Sequence, residues 1–157
     1  AALACLDTLA KGCLMRNFFT LHNDYRDMGV TLTFDGAPVQ LDALLGVVNA
    51  VQEMLLRVRP SQVDILPAVP ERLARGSVKR LCFYGGDISM EWDLPSRKWN
   101  ARVCSWRDVD LRFMLPAWAN HCEFAPEGGA TASLLGAALS AKMPAGSALC
   151  LHSKSKA

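Results

Sequence analysis

Apolar residues recur every three to four positions in the first third of the chain and at every second position later. Leu3, Leu6, Leu9, Ala10, Cys13 and Leu14 fall on one face of a helix wound at about 3.6 residues per turn. Leu41, Leu44, Leu45, Val48, Val51 and Leu55 repeat that spacing and predict a second helix. Glu53 and Arg57 would be a solvent-side i,i+4 pair on it. A polar, glycine-containing stretch from Asn17 to Gln40 joins the two helices. Connections that long are uncommon in compact units and tend to carry function.

Beyond Pro60 the period changes to two. Ile88, Met90 and Trp92 alternate with polar residues, as do Trp99, Ala101 and Val103, then Val109, Leu111 and Phe113. Gly85-Gly86 predicts a turn between strands at Ser77–Tyr84 and Asp87–Asp93, and Leu94–Arg97 predicts the next. Ala138–Met143 and Ala148–His152, separated by Pro144–Ser147, read as a closing hairpin, although the alanine-rich stretch at 130–141 also suits a helix. Alternation this regular gives each strand one buried face, hence an antiparallel sheet or small sandwich. Two helices cannot bury both their faces alone. The expected class is therefore α+β: residues 1–60 as the tail of a larger helical domain, and 61–157 as a β-domain, with the seam near Arg59-Pro60.

Composition narrows the classes. Hydrophobic residues make up 51% and charged residues 20% of 157, which is globular and not disordered. A net charge of +2 provides no basic field for nucleic acid or an anionic membrane. Asp42, Asn49, Gln52 and Glu53 interrupt the longest apolar run, which excludes a membrane span of about 20 residues there. No leader pattern is visible, and the chain opens at Ala1 within a predicted helix, so a fragment or processed product is expected. The six cysteines contain no Cys-x-x-Cys spacing. They read as scattered reduced thiols in a reducing, cytoplasmic-type compartment, with no metal or cofactor expected.

A family resemblance enters between Ala37 and Pro70. Ala-Pro-Val-Gln-Leu-Asp-Ala-Leu-Leu-Gly is followed by Ala-Val-Gln-Glu-Met-Leu-Leu at 50–56 and Ile-Leu-Pro-Ala-Val-Pro at 65–70. Gly76-Ser77-Val78 with Leu81, Gly85-Gly86 and Glu91-Trp92 come next, and Asn17-Phe18-Phe19-Thr20-Leu21-His22 lies upstream. This order resembles the end of glycoside hydrolase family 95, whose pattern runs near P-F-Q-I-D-G-N-F-G, E-M-L-L, L-P-A-L-P, G-S-V-x-G-L, G-G and E-W. The likeness covers roughly residues 1–115.

What the resemblance implies is an (α/α)6 catalytic barrel, whose last helices are here, followed by a C-terminal β-domain. It implies inverting cleavage of terminal α-L-fucosyl or L-galactosyl linkages, with a Glu as general acid and an Asn made basic by a neighbouring Asp. The Asp of Q-I-D falls on Asp42. The Glu and the Asn belong to a region that this chain does not contain, so the implied partners are the glycan and the remainder of the barrel. Three departures stand out: Ala43-Leu44-Leu45-Gly46 replaces G-N-F-G, Val39 replaces Phe, and Arg80 replaces the Gly before Leu81.

Read from the residues alone, Asp42 precedes a helix and would cap it, accepting from the amides of Leu44 or Leu45. A capped carboxylate is also held in place and kept ionised, so the two roles are compatible. His22 and Gln40 are candidate sugar contacts, and Tyr25 could offer a ring face; Asn23, Asp24 and Arg26 equally suit a turn network. Trp92 and Trp99 share the buried parity of their strands, Trp106 follows a strand end and is a candidate for exposure, and Trp118 is uninformative. His121 and His152 show no partner pattern. The rival reading is a non-enzymatic β-sandwich that binds sugar or another subunit.

Overall fold

The computed structural model describes residues 2–29, 36, 38–116, 118–119 and 122–153. His121, residues 30–35 of the long connection and Ala37 of the motif-bearing segment lie outside the described residues. Two compact units are present, Ala1–Gln52 and Glu53–Ala157.

The first unit holds helix α1 (Ala2–Gly12) and most of helix α2 (Leu41–Leu55). Between them the backbone is held by two isolated antiparallel bridges, Leu14 with Thr20 and Leu21 with Val39. Burial is inverted here relative to an ordinary core. Among the described residues the buried side chains are Thr20, Asn23 and Asp24, whereas Phe18, Leu41, Leu45 and Val48 are each more than half exposed.

Among its described residues the second unit has ten strands. They are β1 (Leu56–Arg59), β2 (Gln62–Ile65), β3 (Arg75–Phe83), β4 (Gly86–Asp93), β5 (Lys98–Ser105), β6 (Val109–Met114), β7 (Cys122–Glu127), β8 (Thr131–Leu135), β9 (Ala138–Met143) and β10 (Ala148–Ser153). One sheet runs β1-β2-β6-β9-β8 and the other β3-β4-β5-β10-β7. Every pairing is antiparallel except β2 with β6. Both sheets feed one apolar cluster, in which Val63, Phe113 and Leu139 from the first meet Ile88, Val103 and Leu149 from the second, all completely buried. Phe83 and Phe113 cross between the sheets edge to face, with ring centres 6.3 Å apart. The fold is thus α+β, with two sheets stacked as a sandwich.

The alternation predicted for 88–113 is the alternation observed, because an inward residue at every second position suits either sheet. Four local expectations are corrected. The strand regime begins at Leu56, ahead of Pro60, because Leu56–Arg59 folds back on Gln62–Ile65 across a Pro60-Ser61 turn. Arg57 therefore leaves the helix and gives up Glu53, pairing with Asp64 at 2.8 Å. The segments Ala138–Met143 and Ala148–His152 do not form a hairpin: β9 pairs with β6 and β8, β10 with β5 and β7. Pro144–Ser147 is an arch between sheets, held where Ser105 Oγ donates to the Pro144 carbonyl at 2.5 Å. Finally, the alanine-rich stretch is strand: β8 and β9 join at Gly136, whose φ of +63° suits a tight turn.

Asp64 ties the β1–β2 hairpin together. Its carboxylate accepts from Gln62 Nε2 at 2.5 Å, Arg59 Nη2 at 2.6 Å and Arg57 Nε at 2.9 Å. Burial pushes its pKa up, but the hydrogen bonds from Gln62, Arg57 and Arg59 outweigh burial and hold it below the ordinary carboxylate value. A depressed folded-state pKa contributes stability that is present above the unfolded value, about 3.9, and is lost as pH falls through the folded one. Asp64→Asn is expected to cost about 1 kcal/mol at pH 7, since both arginines are half exposed and screened. Urea unfolding at pH 7 and pH 3 checks this, and a deficit that persists undiminished at pH 3 would exclude the ionic origin.

Candidate functional site

The segment before α2 folds against the segment after α1 through three short hydrogen bonds. Gln40 N–H donates to the Thr20 carbonyl at 2.7 Å, His22 N–H to the Pro38 carbonyl at 3.0 Å, and Thr20 Oγ donates to the Gln40 carbonyl. These bonds place His22 beside Gln40, whose side-chain amide donates to His22 Nδ1 at 2.5 Å. A side-chain amide nitrogen only donates, so His22 Nδ1 is the acceptor in this contact.

Asp42 sits two residues past Gln40. It is not the cap. The helix begins at Leu41, so Asp42 lies in the first turn, and the Gln40 carbonyl accepts from Leu44 N–H at 3.3 Å. Two residues of offset separate this from the capping role the spacing predicted, because Gln40 is already fixed in the bridge with Thr20. The Asp42 carboxylate is solvent-exposed at the positive end of the helix dipole. Of the four candidate residues, His22 and Gln40 are thus in contact, and Asp42 lies two residues further on in the first turn of α2.

Tyr25 has other ties. Its hydroxyl donates to the Leu14 carbonyl at 3.2 Å, and the Arg26 guanidinium lies 4.4 Å above its ring, covering one face. Arg26 also donates to the carbonyl of Lys11 at 2.8 Å, at the end of α1. That is a helix C-terminal role favoured by the dipole. Asn23 and Asp24 are buried within this turn. Burial first, and then the charge of Asp24, raise the pKa of the nearby Cys13 thiol, which keeps it protonated and a poor nucleophile.

Thr20 was missed by sequence reasoning. It is completely buried and anchors the Gln40 backbone, which makes it the positioning residue of the pair. A β-branched polar residue two positions before His22 was its only trace.

No protein-family model matches this sequence, and no curated protein matches it significantly. All six cysteines are free. Among the described residues no three His, Cys, Asp or Glu side chains converge as metal ligands, and no helix is long and apolar enough to cross a membrane. Trp92 and Trp99 are buried cross-strand partners, and the Trp92 indole donates to the Leu73 carbonyl at 2.7 Å. Trp118 is half-buried against the core. His152, for which the sequence showed no partner, faces Glu123 across the β7–β10 pair at 3.1 Å.

Proposed function

We propose that this chain is the C-terminal portion of an inverting, α-L-fucosidase-like glycoside hydrolase, and that Asp42 is its base-orienting carboxylate. In this reading the first unit belongs to an (α/α)6 barrel and the second unit is its β-domain. The observation that carries it is the contact of His22 with Gln40, the residue preceding α2, with the Asp42 carboxylate exposed in the first turn of that helix. Two further features support it. The exposed apolar residues of the first unit, Leu41, Leu45 and Val48, are the surface that neighbouring barrel helices would cover. Arg80 stands where the resembled pattern has glycine, and its φ is +55°, the left-handed conformation that glycine adopts at least cost.

Chemically, inversion needs a proton donor on the leaving-group side and an activated water on the other, with roughly 6.5–9.5 Å between the two groups. An amide is a weak base. Asp42 would accept the amide N–H of an Asn from the rest of the barrel, and so aim and polarise its oxygen toward the attacking water. The water loses its proton to that oxygen as it bonds to the anomeric carbon, while a Glu protonates the departing oxygen. His22 and Gln40 would hold the sugar hydroxyls.

The isolated chain is therefore expected to show no turnover of a nitrophenyl α-L-fucoside, and co-expression with the preceding barrel polypeptide should restore it. Turnover by the chain alone would overturn this assignment. A second reading, a β-sandwich that binds sugar without cleaving it, is favoured by one observation: two exposed aromatic side chains at one end of the second unit.

A further inference from the structure

Among the described residues of the second unit, Tyr84 and Trp106 are the exposed aromatics, at 67% and 51%. Tyr84 stands in the β3–β4 turn and Trp106 in the β5–β6 loop, and the loop is bonded to the turn through Trp106 N–H and the Gly85 carbonyl at 2.8 Å. The turn and loop are pressed together. A Cβ on Gly85, where φ is +97°, would lie 2.5 Å from Val109 Cγ1 and 3.3 Å from Arg107 Cγ. One on Gly86 would meet the Cys104 carbonyl oxygen at 2.1 Å. Only glycine allows this approach, so the two aromatic positions are fixed by backbone geometry.

The rings themselves are also held. The Trp106 indole N–H donates to Asp87 Oδ2 at 3.1 Å, and Asp87 is a buried carboxylate that also faces Arg80 Nε at 3.6 Å. The Arg107 guanidinium lies 4.8 Å over the Tyr84 ring and covers one face of it. An exposed indole anchored to a buried carboxylate loses little rotational freedom when something settles on it.

We propose that Tyr84 and Trp106 form a stacking platform for a neutral pyranoside ring of a glycan, with Arg80 and Arg107 as donors to its hydroxyls. The hydrogen-bearing face of such a ring is apolar and flat, and it packs on an aromatic face as other apolar surfaces do. A neutral ligand suits the site, since Asp87 faces Arg80 at 3.6 Å and Arg107 is engaged on the Tyr84 ring. A single-stranded nucleic acid would require a positively charged groove beside the rings. A quaternary ammonium ligand would require an uncovered cage, whereas a guanidinium already occupies one face of Tyr84. The platform goes beyond the hydrolase reading and does not depend on Asp42.

The test titrates the 157-residue chain with 2′-fucosyllactose and with cellotetraose, followed by calorimetry and tryptophan fluorescence. Saturable binding of either is expected, with an emission shift that Trp106→Ala removes. Trp106→Ala and Tyr84→Ala should each weaken binding about ten-fold or more, Tyr84→Ala without changing the melting temperature and Trp106→Ala with the fold retained by circular dichroism. Trp106→Phe, which keeps a stacking ring but loses the anchor, should fall between. No saturable signal up to about 10 mM of both sugars would overturn the platform. So would undiminished binding by both alanine variants. Loss of assembly with the preceding barrel polypeptide, in variants of a chain that binds neither sugar, would make the pair a protein contact instead.

Discussion

On the proposed hydrolase reading, Asp42→Asn in the full-length protein is expected to lower kcat about a thousand-fold while KM and folding stay near wild type. Asparagine keeps the size of the side chain and can still accept a hydrogen bond, but it loses the charge that would polarise the proposed amide base. Removing a base activation of this kind costs about 10²–10⁴ in rate, and a thousand-fold is about 4 kcal/mol of barrel-mouth transition-state stabilisation. Stability should change far less, because an exposed carboxylate in the first turn of a helix contributes only about 0.3–1 kcal/mol through the dipole. KM should hold because His22 and Gln40, and not Asp42, would bind the sugar. Steady-state kinetics on a nitrophenyl fucoside, with circular dichroism as the folding control, decides it. A variant that retains a third or more of the wild-type kcat would remove Asp42 from the mechanism.

Phe113→Ala should destabilise the second unit by about 3–5 kcal/mol. Phe113 is completely buried at the centre of the first sheet, paired across the backbone with Val63 of β2 and Leu139 of β9, both also completely buried. It also provides the contact to Phe83 of the opposite sheet. Truncation opens a void that three strands and a facing ring would have to collapse into, and a sandwich pinned on both sides relaxes little. Set against about 5–15 kcal/mol of total stability, that is a large fraction, with a melting point lower by roughly 15 °C or more. Urea unfolding of the chain measures it. A loss under about 1 kcal/mol would mean that the two sheets do not share this core.

Periodicity carried most of the strand assignment. Ile88, Met90, Trp92, Trp99, Ala101, Val103, Leu111 and Phe113 are inward because a pleated strand sends every second side chain to one face, and that rule is local. It says nothing about which sheet a strand joins. Leu139 and Leu149 both face the shared core from opposite sheets, and the four-residue link between their strands fits a hairpin and an arch equally well. The β1–β2 hairpin escaped notice for a related reason. Leu56 continues the apolar register of the helix, and only the pairing of Leu56 with Ile65 makes it strand.

The candidate site divides in the same way. That His22, Gln40 and Asp42 were worth attention follows from the types and order of residues in the chain, since short-range sequence sets a helix start and a polar connection. The contact of His22 with Gln40 required Thr20 to bond Gln40 across 20 residues, an interaction without any periodic trace. The Tyr84–Trp106 pair depends on tertiary structure still more, because its parts come from two loops joined through Gly85 and oriented by a buried Asp87. By itself the sequence determined which faces of its elements are apolar, because that needs only the geometry of the helix and the strand. Partners were decided by the tertiary structure, because long-range pairing depends on closing loops and filling one shared core, and neither is encoded in any window of neighbouring residues.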